Sequence, residues 1–131
     1  PLYWWKEYDT YKVGTVANST STMHKIHSKP FEMSDFSTDH MNEETIEFMG
    51  KNIEFLENLR VKYNDTKDKT LWYSIIQLLP ESYNQMRTCT FSYENAVAMY
   101  YSRKNHKLDE WHTFCNWVTE LPYFKELFIQ E

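Results

Sequence analysis

"SYENAVAMYYSRKNHKLDEWHTFC", residues 92–115, decides how the C-terminal half of the chain is organised. Ser92 carries a hydroxyl suited to the unpaired N–H groups of a helix's first turn. Tyr93, Ala96, Val97, Tyr100 and Tyr101 follow at i, i+3, i+4, i+7 and i+8, the template of an amphipathic helix. Arg103, Lys104, His106 and Lys107 crowd its end, with Asn105 and His106 marking the stop. Asp109 and Glu110 suit the positive end of a second helix, whose apolar stripe is Leu108, Trp111, Cys115 and Val118. Two helices meeting at a cationic elbow are therefore predicted. Cations at a helix C-terminus stabilise it by roughly 0.3–1 kcal/mol, which suffices for a plain turn. The helix that follows also favours an anion at its start. An arginine fork suits phosphate, carboxylate or a pyrimidine edge. The elbow is thus either a helix turn or the wall of an anion site.

Upstream of this stretch, "MRTCTF" alternates as a short strand should, and "ESYNQ" before it is a turn. Leu71, Trp72, Ile75, Ile76 and Leu79 form the stripe of a helix that Pro80 ends. "NDTKDKT" reads as the turn before it, with Asp65 and Asp68 as a capping arrangement. A longer helix opens at Asn42, with Glu43 and Glu44 in its first turn. Its stripe is Ile46, Met49, Ile53, Leu56 and Tyr63, widened by Phe48, Phe55 and Leu59. Gly50 weakens that helix by about 1 kcal/mol relative to Ala, which points to close packing there. Near the start, Tyr3, Trp4, Tyr8 and Tyr11 recur as a helix face over residues 2–12. "KVGTVANSTSTMHKIHSKP", residues 12–30, reads as a loop with one strand near Thr22 to Ile26. Pro122 opens a last short helix.

At 131 residues the chain suits a single domain, 1–131, with a real core. It opens on Pro1 in "PLYWWKEYDTYK", which already reads like the inside of a fold, so an N-terminal portion beyond it is expected. Ten tyrosines, eight phenylalanines and five tryptophans are many for this length; such residues fill cores and interfaces. A homo-oligomer is expected from them. The net charge of −5 argues against general nucleic-acid binding, although a local basic cluster can still hold one phosphate. No apolar run approaches the roughly 20 residues of a membrane span. Cys89 and Cys115 are too few and too isolated for a disulfide framework. A cytoplasmic setting follows as the expectation.

Several chemistries drop out. His24 with His27, and His106 with His112, lack a third ligand at a familiar spacing, so no metal is expected. Cys115 lies on an apolar stripe and reads as packing. Gly14 and Gly50 are the only glycines, too few for a phosphate-cradling loop or a nucleophile elbow. Two stretches remain. One is "NSTSTMHK", residues 18–25, where hydroxyls, an amide and a cation gather; the other is the elbow.

The order of these features resembles the flavin-dependent thymidylate synthases. A proline-led aromatic helix runs into the hydroxyl-rich "GTVANSTSTMHK", and "LLPESYNQMRTCTFSYENAVAMYYSRKNHKLDEW" mirrors that family's second half in order and spacing. Thr10, Tyr11 and Lys12 stand where the family has Arg-His-Arg, and Ser21 stands for its motif serine with one residue inserted. Arg103 matches the arginine that recognises the substrate nucleotide. The stretch also resembles uncharacterised proteins of bacteriophages of Gram-positive hosts, which places it in a bacterial host cell. The resemblance implies a helix-dominated α+β, flavin-dependent-thymidylate-synthase-like domain that binds a small-molecule nucleotide. Lys12, Asn18, Ser21 and Arg103 would line the nucleotide site, and Tyr11 with Lys12 would meet the cofactor. An active member would methylate dUMP, with FAD, reduced nicotinamide and a folate donor. A non-catalytic phage protein that sequesters a nucleotide immune signal is the second reading. A structural or protein-interaction domain with an aromatic interface is the third.

Overall fold

The computed structural model describes residues 1–11, 15–19 and 25–130, for 15–19 the backbone only. Over these residues the fold is α+β and helix-dominated. The elements run α1 (Leu2–Tyr8), β1 (Thr15–Ser19), a 3-10 turn (Met33–Asp35), α2 (Glu43–Thr66) and α3 (Lys69–Leu78). After them come β2 (Arg87–Phe91), α4 (Tyr93–Arg103), α5 (Asp109–Thr119) and α6 (Phe124–Phe128). The two strands pair in one sheet. The chain divides into two compact units, Pro1–Tyr3 with Ser19–Met86, and Trp4–Asn18 with Arg87–Glu131.

The first unit is built on an α2–α3 hairpin. Asn42 caps α2 as its position predicts, its Oδ1 accepting the Thr45 N–H at 2.9 Å. The helix then continues through Asn64, Asp65 and Thr66 of the predicted turn. Lys67, with φ 57°, makes the left-handed stop, and its N–H donates to the Tyr63 carbonyl at 2.7 Å. Asp68 caps α3 by accepting the Thr70 N–H at 3.0 Å. Asp65 instead belongs to the last turn of α2, so the expected two-aspartate cap is one aspartate. Met49, Ile53 and Leu56 of α2 meet Ile75 of α3 over Ile26, Phe31 and Phe36. Phe48 and Phe55 do not widen this stripe; they are 70 % and 54 % exposed. Steps of 100° per residue carry both off the side that Met49 and Leu56 occupy.

Charge chemistry holds the entering segment against α2. Arg60 forks onto Glu57, with Nε 2.8 Å from Oε2, and the same oxygen accepts the Phe31 N–H at 2.9 Å. Asn64 Nδ2 donates to the His27 carbonyl at 3.1 Å. The Arg60 hydrogen bond, helped by the Phe31 N–H, holds the Glu57 carboxyl below its ordinary range, although burial opposes it. The strand expected near Thr22 to Ile26 lies largely outside the described residues; of its positions only Lys25, which is helical, and Ile26, which is buried, are described.

The second unit stacks α1, β2, α4, α5 and α6 around aromatics. Ser92 and Asn95 form the cap of α4, with Ser92 Oγ accepting the Asn95 N–H at 3.2 Å. The buried face of α4 holds Ala96 of the predicted stripe together with Met99, which the spacing left out, and Val97 and Tyr100 pack half-buried beside Ala96. Tyr93 and Tyr101 sit at its rim, because their hydroxyls reach the carbonyls of Pro122 (2.8 Å) and Phe128 (2.6 Å). α5 buries Trp111, Cys115 and Val118, as predicted. α6 begins at Phe124 rather than at Pro122, since Tyr123 turns left-handed at φ 62°. Tyr8, Met99 and Trp111 form one core; Ala96, Val118 and Phe124 form another. Arg87 ties β2 to the chain after α1, its Nη1 2.9 Å from Asp9 Oδ1 and its guanidinium 4.6 Å over the Trp5 ring.

Gly50 has room. A Cβ there would meet only the Met33 Cε, at 3.9 Å, an ordinary contact rather than the close approach that the glycine suggests. Gly50→Ala should therefore raise stability by about 0.5–1 kcal/mol in urea unfolding. Glu57→Gln should cost about 1.5–3 kcal/mol at neutral pH, since it removes the charged acceptor from Arg60 and Phe31. The Glu57 carboxyl is depressed on folding, so its contribution is full above the ordinary value of 4.5 and fades as the pH falls through the folded value. The two unfolding curves should converge in acid; a gap that persists there would mean that the charge is not the cause.

Candidate functional site

The elbow separates two cations that adjoin in sequence. Arg103 is the last residue of α4, and Lys104 caps it with an N–H to the Tyr100 carbonyl. Successive side chains on a helix leave about 100° apart, so neighbours serve different surroundings. Arg103 faces the end of α1. Its Nε donates to the Tyr11 hydroxyl at 2.9 Å, Nη1 pairs with Glu7 Oε2, and Nη2 lies 3.5 Å from Thr10 Oγ1. Its guanidinium carbon stands 5.5 Å over the Tyr11 ring and 5.0 Å over the Trp111 ring. Only 17 % of the side chain is exposed. Fork, ring faces and burial are all used within the second unit.

His106 completes that cluster. Its Nδ1 accepts the Leu108 N–H at 3.1 Å, and its Nε2 lies 3.0 Å from the same Glu7 oxygen. An Nδ1 that accepts leaves the proton on Nε2, directed at the carboxylate. The start of α5 is thereby answered from within the chain, by the His106 ring and by Asp109 and Glu110 in the first turn. The second helix dipole expected to favour an external anion is already occupied by these groups.

Beside this cluster lies an open depression of about 590 Å³, lined by Tyr100, Lys104, Asn105, His106, His112, Cys115 and Asn116. Arg103 is not part of its lining. The Lys104 ammonium stands 5.1 Å over the Tyr101 ring and 5.9 Å over that of Tyr100. No carboxylate lies within ion-pair range of it among the described residues. His112 turns Nδ1 to Asp109 Oδ1 at 3.4 Å, which leaves Nε2 as its second polar atom. Asn116 follows His112 by four residues and shares its face of α5. The Cys115 thiol is buried, and burial pushes its pKa up, away from a nucleophilic thiolate. It packs, as the apolar stripe predicts.

The sequence-predicted residues distribute unevenly. Tyr11 and Arg103 come together, through hydrogen bond and ring face. Asn18 falls in β1. Lys12 and Ser21 lie outside the described residues, as does most of "NSTSTMHK". Glu7, which organises the elbow, escapes a sequence reading because it sits 96 residues from Arg103. His112 and Asn116 carried a signal, the i, i+4 spacing of two polar side chains on a helix that is otherwise apolar on one face. Among the described residues no group of His, Cys, Asp and Glu is placed to hold a metal, and no helix is long and apolar enough to cross a membrane.

Compared with protein-family models, with curated proteins and with solved structures, the chain matches none.

Truncating Arg103 should strip Glu7 of its main partner and open the Tyr11–Trp111 cluster. Arg103→Ala is expected to lose about 2–3 kcal/mol of unfolding free energy. Arg103→Lys should recover only part of this, because an ammonium cannot span Glu7 and Tyr11 while lying flat on two rings. A loss under about 0.5 kcal/mol for the alanine variant would remove Arg103 from the structural core of this unit.

Proposed function

We propose that the chain is a binding module for a phosphate-bearing small molecule of mononucleotide size, received in the depression at the α4–α5 elbow. The observation that carries this reading is Lys104: a cation on the wall of that depression, with no carboxylate partner among the described residues. An ammonium of this kind is a strong point charge for phosphate. Asn105 and Asn116 add amides that donate and accept, as a base edge requires, and Tyr100 adds an aromatic wall. A volume of about 590 Å³ is within the usual range of small-molecule sites. The reading favours binding over chemistry: Arg103 is engaged by Glu7 and Tyr11, and the Cys115 thiol is held neutral.

The flavin-dependent-thymidylate-synthase-like reading rests on the ordered sequence resemblance. It names the ligands to try first, dUMP and FAD. Sequestration of a nucleotide signal, the phage reading, adds cyclic nucleotides to the panel. Calorimetric titration of the wild type with dUMP, cyclic mononucleotides and inorganic phosphate should show binding of at least one nucleotide. Lys104→Ala should weaken it about tenfold, as expected for one charge-assisted contact at an open site. Reconstitution with FAD serves as the contrasting arm, since a yellow protein with retained flavin would move the reading to a flavoenzyme. Equal nucleotide affinity in the wild type and Lys104→Ala would take the ligand away from the elbow.

A further inference from the structure

The depression at the elbow pairs a fixed charge with a group that can gain one. Among the described residues its lining holds one lysine, Lys104, two imidazoles, His106 and His112, and no carboxylate. A terminal phosphate carries about 1.5–2 negative charges at pH 7, more than the single charge of a phosphodiester. Lys104 answers one of these charges. The remainder calls for a group that can bring a proton, and an imidazole is the side chain whose charge changes between about pH 5 and 8.

The two imidazoles are not equivalent. His106 is committed at both nitrogens: Nδ1 accepts the Leu108 N–H at 3.1 Å, and Nε2 lies 3.0 Å from Glu7 Oε2. A proton added at its Nδ1 would displace the N–H that enters α5. His112 sets Nδ1 3.4 Å from Asp109 Oδ1, and 44 % of its side chain is exposed. A ring that directs its Nδ1–H at Asp109 keeps a lone pair on Nε2, which a phosphate oxygen cannot use until a proton is added. The titratable groups around this ring are Asp109 on its own helix, Lys104 at the end of α4, and His106, Tyr100 and Cys115 in the lining. We propose that His112 is the second ligand of the phosphate, that its Nε2 takes up a proton from solvent as the phosphate binds, and that the site thereby selects a terminal, doubly charged phosphate over a phosphodiester. This rests on the reading of the elbow as a phosphate site, to which it adds a ligand class and a pH dependence.

Calorimetric titration of the full chain with dUMP and with the phosphate methyl ester of dUMP tests it. The two share base and sugar and differ by one ionisation of the phosphate. Titrations run from about pH 7 to about pH 8.5, above the second phosphate ionisation near pH 6, so the ligand's own charge is nearly constant. The wild type's affinity for dUMP should fall about tenfold across that range, because a proton is taken up on binding. Its binding heat should change with the ionisation enthalpy of the buffer. The methyl ester should bind more weakly at about pH 7 and with little pH dependence. His112→Gln, at a half-exposed position, should keep the circular dichroism of the wild type, bind dUMP about tenfold more weakly at neutral pH and lose the slope. A wild-type affinity for dUMP that is flat across the range overturns the proposal and leaves the elbow a phosphate site. So does a His112→Gln variant that keeps the wild-type slope, or a methyl ester that binds as dUMP does. A chain that binds neither ligand, nor inorganic phosphate, overturns the phosphate reading of the elbow and this proposal with it.

Discussion

In the second unit the Arg103 guanidinium lies between a carboxylate and two aromatic faces, and much of that unit is arranged to make this placement tolerable. A cation with most of its surface removed from water needs its charge answered and its N–H groups taken. Glu7 answers the charge, and Tyr11 and Thr10 accept from the remaining nitrogens. The rings of Tyr11 and Trp111 supply quadrupoles where water would otherwise lie. Glu7 is in turn shared with His106, whose other nitrogen fixes the entry to α5. One carboxylate thus sets where α4 ends and where α5 begins.

The same arrangement sets two adjacent cations in different surroundings. Arg103 is consumed by the fold, while Lys104, about a third of a turn further round, lines an open depression with amides and an imidazole. Sequence alone presents the two as one basic cluster. Helix geometry makes them neighbours with different tasks, which is why the elbow is both a helix turn and the wall of a candidate anion site, with different cations in the two roles.

What the sequence disclosed was local. Asn42 and Ser92 are legible as caps because the partner N–H lies three residues away. The Trp111, Cys115 and Val118 face is legible because these residues recur at spacings of four and three, although Phe114 and Trp117 stand between them. On α4 the predicted stripe is right in part: Ala96 is in the core and Val97 and Tyr100 pack against it, while Met99, outside the stripe, is buried too. Tyr93 and Tyr101 stay at the rim because their hydroxyls find carbonyls at Pro122 and Phe128, partners more than 25 residues away that no window of sequence displays. Phe48 and Phe55 mislead in the same manner: hydrophobicity marks them as core, while the direction of their side chains on α2 leaves them outside. Of the candidate site, Arg103 and Tyr11 were visible as residues. Their mutual contact was not, since 92 positions separate them.

That separation has a consequence for how the chain is made. The second unit is discontinuous, with Trp4–Asn18 emerging first and Arg87–Glu131 last. During synthesis at about 5–20 residues per second, Glu7 waits roughly 5–20 s for an arginine 96 positions behind it. The nascent aromatic stretch "LYWWKEY" has none of its α4 or α5 partners in that interval. The α2–α3 hairpin, whose contacts are short in sequence, completes itself meanwhile. Its aromatic side chains therefore stay without that packing until the last third of the chain has been made.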